Sequence, residues 1–191
     1  MRNSDETMDL TGKLLIAMPG MGDPRFEKAV VFICAHSDEG AMGLIVNKPL
    51  PDLGFGDLLT QLKIVGPGGP RDDILVHFGG PVEHGRGFML HSADYAAANS
   101  TIKVGGFGMT ATLDILKAIA GGTGPARAIF ALGYSGWGPG QIEGAIGENG
   151  WLTAEASPDF VFAADNSGKW SRALNLLGVD ALTLSAEAGR A

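Results

Sequence analysis

Between Ala131 and Leu152 the chain reads ALGYSGWGPGQIEGAIGENGWL, which places seven glycines and two tryptophans in 22 residues. Glycine is ordinarily about 7% of a sequence, so this density marks backbone that must turn sharply or approach something closely. The same signal recurs upstream in Phe78-Gly79-Gly80-Pro81 and Arg86-Gly87. These glycines constrain shape more than they reveal chemistry.

A chain of 191 residues that is 45% hydrophobic and 18% charged is long and apolar enough for one well-packed domain. Residues 12–184 are expected to form it. Met1 to Thr11 and Ser185 to Ala191 lack an apolar period and are expected to fray. No apolar run reaches the roughly 20 residues that span a bilayer, and the N-terminus lacks the basic-then-apolar signature of a leader, which points to a cytoplasmic protein. A single cysteine, Cys34, agrees with a reducing compartment. The formal charge is −7 and the basic residues are dispersed, so the phosphate-neutralising patch that nucleic-acid binders use is not visible.

Short apolar runs predict strands at Leu14 to Met18, Ala29 to Ala35 and Gly43 to Asn47, the last two as a hairpin closed before Pro49. Further strands are expected at Ile74 to Phe78, Gly87 to His91, Thr101 to Val104, Arg127 to Tyr134 and Phe160 to Ala163. Helical spacing predicts helices over Phe55 to Leu62, Thr112 to Ala120, Gly140 to Asn149 and Lys169 to Leu177, the last capped by Ser167. Lys63 to Asp73 has no period and reads as a mobile surface loop. Strands arriving in runs before most helices favour an α+β fold over a doubly wound sheet.

The chemistry-bearing patterns are modest. Gly106-Phe107-Gly108-Met109-Thr110-Ala111 fits a dinucleotide fingerprint between a strand and a helix, but no acidic residue follows at the end of the next strand. The competing reading is an ordinary strand-to-helix turn. His77, His84 and His91 recur every seven residues, yet intervening glycines preclude the helix that would align them, and no metal site is assigned. Cys34 and His36, two apart on a strand, would share a face and are the weak catalytic candidates, against simple core packing of the thiol. Ser135 lacks the spacing of a nucleophile elbow. The leading constellation is Trp137 with Tyr134, Arg86, Gln141 and Glu143, a flat aromatic face flanked by orienting polar groups; the alternative is that Trp137 plugs the core.

Together these motifs resemble the YqgE/AlgH family of bacterial proteins. The resemblance is carried by Leu15-Ile16-Ala17-Met18-Pro19 with Asp23-Pro24, by Gly40 to Pro49, by Gly79-Gly80-Pro81 with Arg86 to His91, and by Ala131 to Tyr134 with Gly136, Trp137, Gly140, Gln141, Glu143, Asn149 and Trp151. It implies a mixed, largely antiparallel bent sheet forming a half-open barrel with helices packed outside. Members are mostly described as uncharacterised, and one branch is named for transcriptional regulation of alginate biosynthesis. This chain departs from the family pattern at Ala35, where a glutamate is common, and at Arg190, where a histidine is common.

The resulting expectation is a non-enzymatic regulatory or binding protein without a cofactor. It would act on a protein partner or small ligand through a surface of Gly79, Gly80, Pro81, Arg86, Tyr134, Trp137, Gln141 and Glu143. The rival class is an enzyme using Cys34 or the His77, His84 and His91 group.

Overall fold

The structure is a computed structural model that describes residues 9–111, 113–148 and 150–178. The apolar runs become β1 (Lys13–Ala17), β2 (Val30–Ser37) and β3 (Gly40–Ile45), followed by β4 (Pro49–Gly54), α1 (Phe55–Gln61), β5 (Leu75–Phe78) and β6 (Val82–Ser92). After these come β7 (Thr101–Val104), β8 (Phe107–Thr110), α2 (Leu113–Ala120), β9 (Ala128–Trp137), α3 (Gln141–Gly147), β10 (Trp151–Glu155), α4 (Pro158–Val161) and α5 (Asn166–Leu176).

The strands run β10-β1-β2-β3-β9-β6-β8-β7 across one antiparallel path, with β5 added parallel to β9 and β4 antiparallel to β5. This is the curled α+β half-barrel that the resemblance implies. Its concave interior is lined by alternate residues of most strands, among them Leu14, Phe32, Leu44, Phe88, Phe107 and Ile129. Phe160, Trp170 and Leu174 of α4 and α5 pack into the same interior. On the outer faces, α1 and α2 cover one half of the sheet and α3 the other. Strands buried on both faces explain why β1 and β2 read as continuous apolar runs instead of alternating ones.

The glycine-dense stretch takes its meaning at the middle of β9. Up to Leu132 this strand pairs in parallel with β5, and from Ser135 onward the same side pairs with β3. The exchange of partners happens at Gly133, whose φ of 76° lies in the left-handed region that glycine tolerates. There Gly79 and Gly80, at the end of β5, cross the β9 backbone. A Cβ on Gly79 would fall 2.2 Å from the Gly133 carbonyl oxygen, and one on Gly80 would fall 2.1 Å from the Tyr134 carbonyl carbon.

Several local expectations are corrected. Phe160 belongs to a helical turn because Ser157 accepts a hydrogen bond from the Phe160 amide and Pro158 occupies the first turn; the strand lies earlier, at Trp151–Glu155. The stretch Gly106 to Ala111, read as a fingerprint or a strand-to-helix turn, instead holds the hairpin strand Phe107–Thr110 paired with β7, and α2 begins beyond it at Leu113. Pro49 opens β4 instead of ending strand structure. The cap of α5 is Asp165, which accepts from the Gly168 amide. Thr112, the first residue of one expected helix, and Asn149, the last of another, lie outside the described residues. So do residues 1–8 of the expected N-terminal extension and the whole 185–191 tail. Leu10, placed in that extension, is buried at 3% exposure against the outer face of β1 and β2. The loop after α1 is tethered: the Gly68 amide donates to Ala120 O at 2.6 Å, and Arg71 donates to the carbonyls of Pro125 and Ala126.

Candidate functional site

An open groove of about 750 Å³ lies at the mouth of the half-barrel. Strands β2, β3, β6, β7, β8 and β9 all reach it. Arg86, Tyr134 and Trp137 line it, as does His36. Its apolar wall comes from Met42, Val82, Phe88, Ile102 and Met109. These last residues were not anticipated from sequence, because only the pairing of β6, β8 and β9 assembles them and nothing local distinguishes them from core.

Arg86 lies in the irregular part of β6, where the register with β9 shifts between Val82 and Gly87. Its guanidinium sits 5.0 Å over the Phe88 ring, and Nη1 donates to Glu83 Oε2 at 3.3 Å. The Phe88 ring in turn meets the Tyr134 ring edge-on at 5.8 Å. Arg86, Phe88 and Tyr134 therefore form one stack along the groove.

Trp137 is half-buried, neither a fully enclosed core plug nor a fully exposed platform. It contacts Phe26 at 6.4 Å and Trp151 edge-on at 6.1 Å between ring centroids, packing against the outer core, while also lining the groove. Gln141 and Glu143 brace the surroundings instead of lining the groove. Gln141 Oε1 accepts from the Gly138 amide at 2.7 Å, and Glu143 is bound to His36. Gly79 and Gly80 lie beneath, at the β5–β9 crossing, with Pro81 leading from them into β6.

The expected face-sharing of Cys34 and His36 is overturned by a bulge. Ile33 pairs with Gly43 and Ala35 with Met42, leaving Cys34 as the extra residue in β2. Cys34 consequently points into the interior with Phe32, while His36, opposite Ala41, turns to the other face. Burial pushes the thiol up to about 12, far from the thiolate a nucleophile requires. The His36 ring has both nitrogens engaged. Nδ1 accepts from the Leu10 amide at 3.0 Å, so the proton resides on Nε2, which donates to Glu143 Oε1 at 2.6 Å. The backbone amide of Glu143 itself and then His36 hold that carboxyl below the usual carboxylate range.

The three histidines spaced by seven are separated in space. His84 is exposed and stacks on Phe78. His91 is buried, donating from Nδ1 to Ser92 O and accepting at Nε2 from the Thr110 hydroxyl. Gly108 faces this ring, with a Cβ there falling 2.4 Å from His91 Cε1, so the supposed fingerprint glycine is a packing position within a strand. Among the described residues no group of three or more His, Cys, Asp or Glu side chains is placed to hold a metal ion.

His77 is 1% exposed, and its Nδ1 donates to Leu75 O. Desolvation pushes its pKa down to about 4. Between the ordinary value near 6.5 and 4, the unfolded chain takes up a proton that the folded chain refuses. Stability is therefore fully retained above about pH 6.5 and falls as the pH drops, by about 3 kcal/mol at pH 4. Urea unfolding at pH 7 and pH 4 should show this loss in wild type, with His77→Gln losing about 3 kcal/mol less over the same interval; equal losses would refute the assignment.

Comparison with known proteins follows the same architecture. The AlgH-like family profile matches residues 14–182. A UPF0301 protein of Ruegeria pomeroyi is 63% identical over 185 residues, covering 96% of this chain and 100% of its own. A UPF0301 protein of Cereibacter sphaeroides is 59% identical over 186 residues with the same coverage. The solution structure of the AlgH protein from Pseudomonas aeruginosa superposes with a TM-score of 0.75 at 39% identity, covering 97% of both chains. A crystal structure from Corynebacterium diphtheriae, at 18% identity and a TM-score of 0.74 over 94% of this chain and 93% of that one, shares the fold. Family profile, relatives and half-barrel agree that this chain belongs to the AlgH-like family.

Proposed function

We propose that this protein is a non-enzymatic binding protein of the cytoplasm that holds a small ligand, or an apolar group of a protein partner, in the groove at the mouth of its half-barrel. One observation carries this reading: the groove gathers Arg86, Tyr134 and Trp137 beside an apolar wall. Its volume of about 750 Å³ lies within the roughly 300–1,000 Å³ typical of ligand sites. The inward-facing Cys34 and the fully engaged His36 ring argue against a thiol–imidazole pair acting there. Any regulatory role would then run through the bound species instead of direct DNA contact, in keeping with the net charge of −7.

The test is crosslinked enrichment from cell lysate, followed by identification of proteins, nucleic acids and small molecules, with wild type beside Arg86→Glu. A specific species should be captured by wild type and depleted about tenfold or more on the variant, as expected when a charge-assisted contact is reversed. Identical capture by both proteins, or rapid alkylation of Cys34 in the native protein, would count against the proposal.

A further inference from the structure

Resting on that groove reading, we infer that the ligand class is an amphipathic carboxylate, an acyl or aryl body carrying one carboxylate head, with the head bound by Arg86. The groove's side-chain donors include the Arg86 guanidinium, the Tyr134 hydroxyl, the Trp137 indole N–H and the Ser37 hydroxyl; among the described residues the Tyr134 and Trp137 groups have no hydrogen-bond partner, and the Ser37 hydroxyl only accepts, from the Glu39 amide. Arg86 is the one cationic side chain of the lining. Its guanidinium lies over the Phe88 ring and gives one N–H to Glu83, and the remaining N–H groups of the fork have no partner among the described residues. A planar, doubly accepting carboxylate matches such a fork, whereas a phosphate dianion is better served by several cations or backbone amides.

The rest of the lining specifies the body. Met42, Met109, Phe88 and Ile102 present thioether, aromatic and branched apolar surface. Methionine adapts to irregular shapes, so this wall selects for apolarity more than for one outline. Glu39, the lining carboxylate, stands on the turn between β2 and β3, while Arg86 stands on β6. A carboxylate head is drawn to the β6 end, where it shares the Arg86 fork with Glu83, and away from the Glu39 end, which offers no cation.

The experiment titrates the full chain by calorimetry with octanoate, octan-1-ol and octyl phosphate, using wild type, Arg86→Gln and Lys103→Gln. Lys103 lies on β7 outside the groove lining and controls for general attraction of anions. Octanoate should bind wild type at least about tenfold more tightly than octan-1-ol, in line with a charge-assisted hydrogen bond. Arg86→Gln should remove that advantage while leaving octan-1-ol within about twofold, and Lys103→Gln should behave as wild type. Equal affinity for acid and alcohol, indifference to Arg86→Gln, a tenfold preference for octyl phosphate, or no octanoate binding at millimolar concentration would each overturn the carboxylate assignment. Arg86-dependent capture from lysate in the face of any of those results would leave the groove reading standing and reject only the ligand class.

Discussion

Gly80→Ala should leave no stably folded protein. The new methyl would sit 2.1 Å from the Tyr134 carbonyl carbon and 2.2 Å from its oxygen, and both atoms are backbone of the strand that carries most of the sheet. No rotamer change relieves such a contact, so β5 and β9 would have to separate. Overpacking of a core ordinarily costs about 1–3 kcal/mol where side chains can give way. With backbone on both sides the cost should exceed about 5 kcal/mol, comparable to the whole stability of many domains. Gly85→Ala, in β6, is the matched control, since its added methyl meets nothing within 4 Å and should change stability by less than about 0.5 kcal/mol. Soluble yield and chemical denaturation of the two variants provide the measurement, and near-equal stabilities would refute the crossing geometry.

Lys169→Ala should lower stability by about 4 kcal/mol. Lys169 is 0% exposed, and its ammonium donates to Val46 O at 3.0 Å, Val161 O at 2.8 Å and Asn166 Oδ1 at 2.9 Å, tying the end of β3 to α4 and α5. Two effects oppose each other here. Desolvation, reinforced by Arg172, pulls the lysine down to about 8, so holding the charged form at neutral pH costs about 3 kcal/mol. Removing the side chain relieves that cost but strands two buried carbonyls, at about 1–3 kcal/mol each, with the part-buried Asn166 Oδ1, and opens a cavity worth roughly 2–3 kcal/mol. Lys169→Met, which keeps the volume, should lose only about 1–2 kcal/mol. The unfolded chain holds this proton between pH 8 and 10.5 while the folded chain has released it, so wild-type stability should rise across that window relative to Lys169→Met. Denaturation of the three proteins at pH 7 and pH 10 tests the sign. A variant difference independent of pH would mean that burial does not perturb the amine.

The fold was legible where a pattern has a local cause. Continuous apolar runs mark β1 and β2 because both faces of those strands are covered, and the spacing of Trp170, Ala173 and Leu174 marks α5 because that face is buried, whereas Leu177, the next residue of the pattern, is the exposed C-cap. Phe160 was misassigned because a short apolar run cannot tell strand from helix. The Ser157-Pro158 start that decides the matter is a capping signal of only two residues. The Cys34 bulge was invisible because it depends on the register with β3, a long-range property. Nothing in the sequence marks Lys169 as buried, and the His77, His84, His91 spacing does not show that His77 is enclosed; tertiary packing alone buries both. At the candidate site, Arg86, Tyr134 and Trp137 pair glycine neighbours with side chains that offer a hydrogen-bond donor, whereas Met42, Phe88 and Met109 also adjoin glycines but are apolar and read as core.

Because β9 spends its first half bonded to β5 and its second half to β3, a single run of covalent backbone is woven through both halves of the barrel. Neither half owns the strand, so neither can detach without tearing hydrogen bonds from the other, and the molecule has no seam along which to open. In the proposed binding role, a rim held from both halves is expected to change little on encounter, so that a guest would incur little of the ordering entropy that flexible clefts demand.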